Sequence, residues 1–252
     1  MKKTFNKYET IFCIILIVIY IVLNSYCINN YGLVDYKSAI INTLLSICLI
    51  ILIIVLKRGS YYGLIKPVNS KKFLYFIPLS LIATVNLWNG INIQNYPNEI
   101  IFYIINMINV GFIEEIIFRG FLFKMMQKEN LKSAIIVSSF TFGIGHIINL
   151  FIGAQVLPTL LQICYAISIG YLFVIIFYKS KSLLPCIITH SLVNSLSIFN
   201  VENSISLYIS SVFLIIVPII YAIYINKTIE WNKIYNIKWF VKFIKIWYNS
   251  PR

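Results

Sequence analysis

The chain has 252 residues, 60% of them hydrophobic and only 12% charged, with a mean hydropathy of +0.85. A soluble domain is roughly 45–50% apolar and about 25% charged, so these proportions exclude a soluble globular protein and describe an all-α, polytopic membrane helix bundle. The net charge of +13 does not imply a nucleic-acid partner, because cationic excess in such chains gathers in cytoplasmic loops and against lipid.

A helix that crosses the hydrocarbon needs about 20 mostly apolar residues, with a range of about 17–25. Eight stretches qualify or come close: Thr10–Ile28, Ser38–Leu56, Phe73–Trp88, Glu99–Phe123, Ser133–Ile148, Leu160–Tyr178, Leu183–Phe199 and Ile205–Ile225. The first follows basic residues, as a signal peptide would. No small-residue cleavage site follows it, Tyr26 standing where one would be needed, so a retained first helix is expected. Loop charges support the count. With the N-terminus inside, alternate loops place 19 of the 21 Lys and Arg on the inner side. Lys37 alone falls outside, and Arg119 lies within a span. Eight transmembrane helices with both termini cytoplasmic are therefore expected.

The tail over residues 226–249 sets Lys238, Lys242 and Lys245 on one helical face beside Trp231, Trp239 and Trp247. It reads as an amphipathic helix on the anionic inner leaflet of the bilayer. The cysteines Cys13, Cys27, Cys48, Cys164 and Cys186 lie in or beside apolar runs with no C-x-x-C pair, and read as small buried hydrophobes.

The fourth stretch breaks the apolar pattern with Glu114, Glu115 and Arg119. Ionisable groups at membrane depth need a partner or a task. Glu115 and Arg119 are four apart and share a helical face, so they are expected to pair. Glu114 lies about 100° round the helix, outside that pairing, and is the candidate general base. Both histidines of the chain fall within spans. His146 ends "FTFGIGH" on the fifth helix. His190 opens "HSLVN" on the seventh, with Asn194 on the same face. From the inner helix ends, depths come to about 14 Å for Glu114, about 10 Å for His190 and about 20 Å for His146 at 1.5 Å per residue. The fourth, fifth and seventh helices could therefore gather one polar cluster, with Gly143, Gly145 and Gly170 allowing close helix approach.

Carboxylate, imidazoles and carboxamide together suggest hydrolysis: Glu114 and His146 to hold and deprotonate a water, with or without a metal, and His190 and Asn194 to donate to a developing oxyanion. The H-E-x-x-H zinc motif is absent. Asn106 and Asn109 read as interhelical hydrogen-bond glue, Phe142 as packing, and Pro78, Pro158, Pro185 and Pro218 as kinks or helix-end markers.

"EEIIFR" (Glu114, Glu115, Arg119), "FGIGH" (Phe142, His146) and "HSLVN" (His190, Asn194) resemble, in order, the EExxxR, FxxxH and HxxxN motifs of the CPBP family. These are intramembrane proteases related to the type II CAAX prenyl endopeptidases and to bacteriocin-immunity (Abi) proteins. The resemblance covers about residues 60–200. It implies an eight-helix intramembrane endopeptidase of a bacterial cell membrane. Residues 1–58 would form an N-terminal hairpin, 59–203 the catalytic core, and 204–252 the last helix and basic tail, within one integrated domain. It further implies that Glu114 and His146 activate water, that His190 and Asn194 form the oxyanion hole, and that Glu115, Arg119 and Phe142 support them. A divalent metal such as zinc on Glu114, His146 and His190 and a metal-free glutamate mechanism both stay open. The implied partner is a membrane-associated peptide or protein: a CAAX-type tail, a peptide pheromone or a bacteriocin-like substrate. The alternatives are a self-immunity protein of the same family, with or without proteolysis, and a proton-coupled transporter. The transporter's usual inverted repeats are missing from the sequence.

Overall fold

The computed structural model describes residues 5, 8–68, 77–201 and 203–227. The amphipathic tail expected from residue 226 onward, the start of the third stretch at residues 73–76, and Lys2, Lys3 and Lys7 lie outside the described residues, apart from Asn226 and Lys227. Eight principal helices are present: α1 (Glu9–Tyr31), α2 (Tyr36–Val55), α3 (Ile77–Thr84), α4 (Pro97–Gln127), α5 (Leu131–Gly145), α6 (Val156–Ser180), α7 (Leu184–Leu196) and α8 (Ser204–Asn226). A 3-10 turn extends α3 over Val85–Leu87, another extends α7 over Ser197–Phe199, and a short helix, Ile148–Phe151, follows α5. The molecule is an all-α polytopic bundle, with no strand among the described residues.

The order and type of the elements match the apolar pattern, but not every helix has the expected length. Among the described residues, six helices are long and apolar enough to cross a membrane, and α3 and α7 are shorter. They need not span alone, because α7 lies against α4 and α3 inside the bundle. Polar side chains place the helix starts. Asp35 accepts from the Lys37 amide at 2.7 Å, Asn130 from that of Ser133 at 3.0 Å and Asn203 from that of Ile205 at 2.9 Å. Pro97 opens α4 and Pro185 opens α7, where a missing amide hydrogen costs nothing. Pro218 lies inside α8.

Within α4 the stretch Ile116–Phe123 is π-helical and wholly buried. Such widened turns are rare and recur at functional sites. The core also takes in Leu16 and Tyr20 of α1, and Leu172, Phe173 and Ile176 of α6. Large apolar side chains such as Ile11, Ile14, Val18 and Val22 of α1 face outward, as a lipid-facing surface requires. All five cysteines are free. Cys13, Cys27 and Cys186 are buried as expected, but Cys48 and Cys164 are exposed, since each points away from its helix neighbours onto the outer surface.

The loops expected to share the inner side meet at one end of the bundle. Glu9 pairs with Arg58 at 3.3 Å and with Lys128. Leu183 donates to the Gly63 carbonyl at 2.8 Å, and Val68 to that of Ser180 at 2.9 Å. At the opposite end Asn106 donates to the Leu33 carbonyl at 3.1 Å, Asn92 to that of Phe199 at 2.9 Å, and Tyr103 and Ser197 share a 2.7 Å hydrogen bond. The expected glue is in place: Asn42 donates to Asn106 at 2.7 Å and Asn109 to Thr43 at 3.0 Å.

Close approaches rest on specific glycines. A Cβ at Gly143 would stand 2.8 Å from the Ile167 nitrogen and 2.9 Å from the Ile163 carbonyl of α6. One at Gly170 would meet Phe142 and Arg119 at 3.2 Å, whereas Gly145 faces open space and serves no close approach, contrary to expectation. Gly111, which the sequence did not single out, matters as much. A Cβ there would be 2.8 Å from the Ser191 nitrogen, so α4 and α7 touch backbone to backbone at this point. Gly111→Ala and Gly143→Ala are each expected to destabilise by about 1–3 kcal/mol through forced helix separation, whereas Gly145→Ala should stay within about 0.5 kcal/mol. Thermal unfolding of the three variants in detergent checks this ordering.

Candidate active site

The glutamate pair at the end of the α-helical part of α4 divides as the helical wheel predicts. Glu115 is sealed off, its side chain 0% exposed, and its Oε1 takes the Arg119 guanidinium at 2.9 Å. Arg119 is itself 0% exposed, with its guanidinium carbon 4.0 Å from the centre of the Phe142 ring. Its Nε and Nη2 find no hydrogen-bond partner among the described residues. The ring face of Phe142 supplies an electrostatic partner where hydrogen bonding does not. Phe142, expected as packing and as a support for the site, also covers the buried cation.

Glu114 points the other way, its side chain 12% exposed, into a cavity of about 250 Å³. His146, Asn194, Phe142 and Tyr20 line the same space. His190 stands between the two carboxylates: Nδ1 lies 2.9 Å from Glu115 Oε1, and Nε2 lies 3.5 Å from Glu114 Oε2. An ionised carboxylate only accepts, so Nδ1 carries the hydrogen toward Glu115, and Nε2 is the ring atom turned to Glu114. Glu115 thereby orients His190 as well as neutralising Arg119, a second duty that spacing did not reveal.

His146 takes the position just after α5. Phe142 packs edge-on against both imidazoles, with centroid distances of 5.6 Å in each case. Glu114 and His146 are expected to hold a water between them. Both border the cavity, but Glu114 is engaged by Tyr20 and His190, and no hydrogen bond joins it to His146 among the described residues. Asn194, one turn beyond His190 on α7, completes the wall. All seven singled-out residues thus converge: Glu114, Phe142, His146 and Asn194 line the cavity, His190 stands beside Glu114, and Glu115 and Arg119 lie behind.

Tyr20 is the functional neighbour that sequence reading missed. Its hydroxyl donates to Glu114 Oε1 from the middle of α1. Its signal was its place: tyrosines of membrane helices concentrate at span ends, and Tyr20 sits mid-span, 5% exposed. A further pair, Asn149 and Gln162, is joined at 2.9 Å on the cavity wall.

A metal was expected on Glu114, His146 and His190 if one is used. Among the described residues, no three His, Cys, Asp or Glu side chains gather so as to hold an ion. His190 turns Nδ1 to Glu115 and leaves Nε2 toward Glu114, so that bond by itself does not bar ligation. As placed these residues are not gathered for ligation, and Glu114, His146 and His190 are the side chains that would hold an ion if one bound.

Two outcomes test this arrangement. Arg119→Ala leaves the Glu115 charge buried without its cation and is expected to cost about 3–5 kcal/mol, read as a fall in unfolding temperature and in yield of folded protein. Tyr20→Phe removes one charge-assisted hydrogen bond, typically about 1.5–3 kcal/mol, and should lower turnover roughly tenfold or more while the protein still folds. Purified-enzyme kinetics and size-exclusion profiles report both.

Residues 96–196 match the family model described as Type II CAAX prenyl endopeptidase Rce1-like. Comparison with curated proteins and with solved structures gives no match. The matched segment runs from the start of α4 to the end of α7 and contains Glu114, Glu115, Arg119, Phe142, His146, His190 and Asn194. Over that segment, less than half of the chain, the protein is similar to the type II CAAX prenyl endopeptidase Rce1-like family, and six helices among the described residues are long and apolar enough to cross a membrane.

Proposed function

We propose that the protein is an intramembrane endopeptidase that cuts a membrane-associated peptide or protein with a water activated by side chains. The observation that carries this reading is the division of labour at α4. Glu115 is consumed by Arg119 and His190, whereas Glu114 borders a cavity that His146 and Asn194 also line. Buried ion pairs stabilise folds without needing a cavity. A second carboxylate beside one, exposed to enclosed space and held by a donor, serves chemistry.

In the proposed reaction the substrate carbonyl enters beside Glu114. A water held by Glu114 and His146 attacks the carbonyl carbon as its proton passes to the Glu114 carboxylate. The new C–O bond leaves a tetrahedral oxyanion, to which the Asn194 amide donates, and to which His190 donates when Nε2 as well as Nδ1 carries hydrogen. Preorganised groups of this kind commonly contribute a few kcal/mol to catalysis. The proton on Glu114 then moves to the leaving nitrogen as the C–N bond breaks, and Glu114 is restored. Tyr20 fixes the Glu114 rotamer, and Glu115 fixes the ring plane of His190, so neither must be ordered at the moment of reaction.

Glu114→Gln and His146→Ala are each expected to abolish cleavage of a membrane-bound peptide by purified protein, with expression and unfolding temperature retained. Full turnover in either variant would sink the assignment. Metal content of the same preparation, and its activity before and after chelation, decides whether a divalent ion such as zinc takes part.

A further inference from the structure

One aromatic ring at the basic end of the bundle gathers cations from two segments. Tyr61 lies in the loop between α2 and α3. The Arg58 guanidinium carbon stands 5.2 Å from the centre of its ring, Lys124 Nζ 5.3 Å and Lys128 Nζ 5.9 Å. The Tyr61 hydroxyl donates to the Lys124 carbonyl at 3.3 Å and so fixes this loop on the end of α4. Lys124 also lies over the Phe177 ring of α6, 5.0 Å from its centre. Lys181, just after α6, is close enough to Lys124 for the two ammonium groups to repel.

Charge does not balance here. Glu9 answers Arg58 and Lys128. Among the described residues, no carboxylate stands within ion-pair distance of Lys124 or Lys181. Their neighbours are the rings of Tyr61, Phe177 and Tyr178, the last 4.3 Å from Lys181 Nζ. Four cations therefore face one carboxylate. Orienting a bundle in the membrane requires only a number of basic residues, and exposed ones such as Lys57 and Lys66 supply it. Holding Lys124 half-buried beside a like charge is a further cost, which a charge count does not require. An anion offsets it.

Its position names the anion. Lys124 belongs to the last turn of α4 and Lys181 directly follows α6, so both stand at the ends of apolar spans. Tyrosine rings beside them suit the interface between hydrocarbon and water. The geometry points to a binding site for the phosphate of an anionic phospholipid, held by the ammonium groups of Lys124 and Lys181 and bordered by Tyr61 and Phe177. Basic pockets between transmembrane helices on the cytoplasmic side take such headgroups. The bound phosphate joins the α2–α3 loop, the end of α4 and the end of α6. Through the buried stretch Ile116–Phe123, that end of α4 continues into the Glu114–Glu115 pair. The inference does not need the proteolytic reading.

The test reads the unfolding temperature of the full chain in nanodiscs of phosphatidylcholine, of phosphatidylglycerol, and of phosphatidylcholine with soluble glycerophosphate. Phosphatidylglycerol is expected to raise it by about 4–8 °C over phosphatidylcholine, the effect of two ammonium groups on an anionic headgroup. Glycerophosphate is expected to leave it unchanged. The double variant Lys124→Gln, Lys181→Gln loses most of the shift, yet unfolds no earlier in phosphatidylcholine, because the repulsion goes with the charges. Lys57→Gln with Lys66→Gln removes the same charge from exposed positions and keeps the shift. Lys181→Gln alone, at an exposed position, loses about half of it and serves if the double variant does not fold. No shift in the unchanged chain, a full shift in the Lys124 and Lys181 variants, equal loss from both double variants, or equal stabilisation by glycerophosphate would each overturn the inference.

Discussion

Arg119 is fully enclosed, in a bundle whose other charges lie almost entirely at helix ends. Bringing a guanidinium to that position costs several kcal/mol in desolvation unless its surroundings answer it. Three groups do so together. Glu115 supplies the countercharge from one turn back on α4, Phe142 of α5 covers the guanidinium face, and Gly170 of α6 withdraws so that Nη2 has room. Because Glu115 Oε1 also takes His190 from α7, this one ion pair ties four helices to a common register. The geometry of the proposed site follows from it. Move Arg119, and Glu115, His190 and Phe142 lose their reason to be where they are.

The arrangement also explains why two adjacent carboxylates can have separate fates. A helix turns about 100° per residue, so the ion pair that captures Glu115 turns Glu114 away from it, toward α1. There Tyr20 receives it, and the cavity begins. The wall that the first helix provides lies outside the segment matched to the family. The matched core holds Glu114, His146 and Asn194, the groups proposed to react, and α1 closes the space they line.

Polarity and packing divide the bundle along its axis. Toward the basic end, aromatic and branched residues interlock around Phe121 and Tyr62. Toward the other end, carboxamides and hydroxyls line open volume. Close packing below closes the cavity under Glu114, and the space beside it lies toward the other end. The backbone contact of Gly111 with Ser191 serves the same end, bringing α4 and α7 near enough for a carboxylate on one to reach an imidazole on the other.

Much of this was legible in the residues alone. Apolar runs and loop charges report helices and their alternation directly, because lipid leaves a spanning segment few alternatives to helix. Charged or imidazole groups inside those runs stand out because burying them is expensive, so Glu114, Glu115, Arg119, His146 and His190 could be singled out one at a time. Four-residue spacing was enough to pair Glu115 with Arg119. What the sequence could not decide depends on distances between helices. The pairing of Tyr20 with Glu114, the second bond of Glu115 to His190, the stacking of Phe142 on Arg119, the idle role of Gly145 beside the essential one of Gly111, and the shortness of α3 and α7 all arise from how helices cross. Helical periodicity states which face a residue occupies, and only the packed bundle states what that face meets.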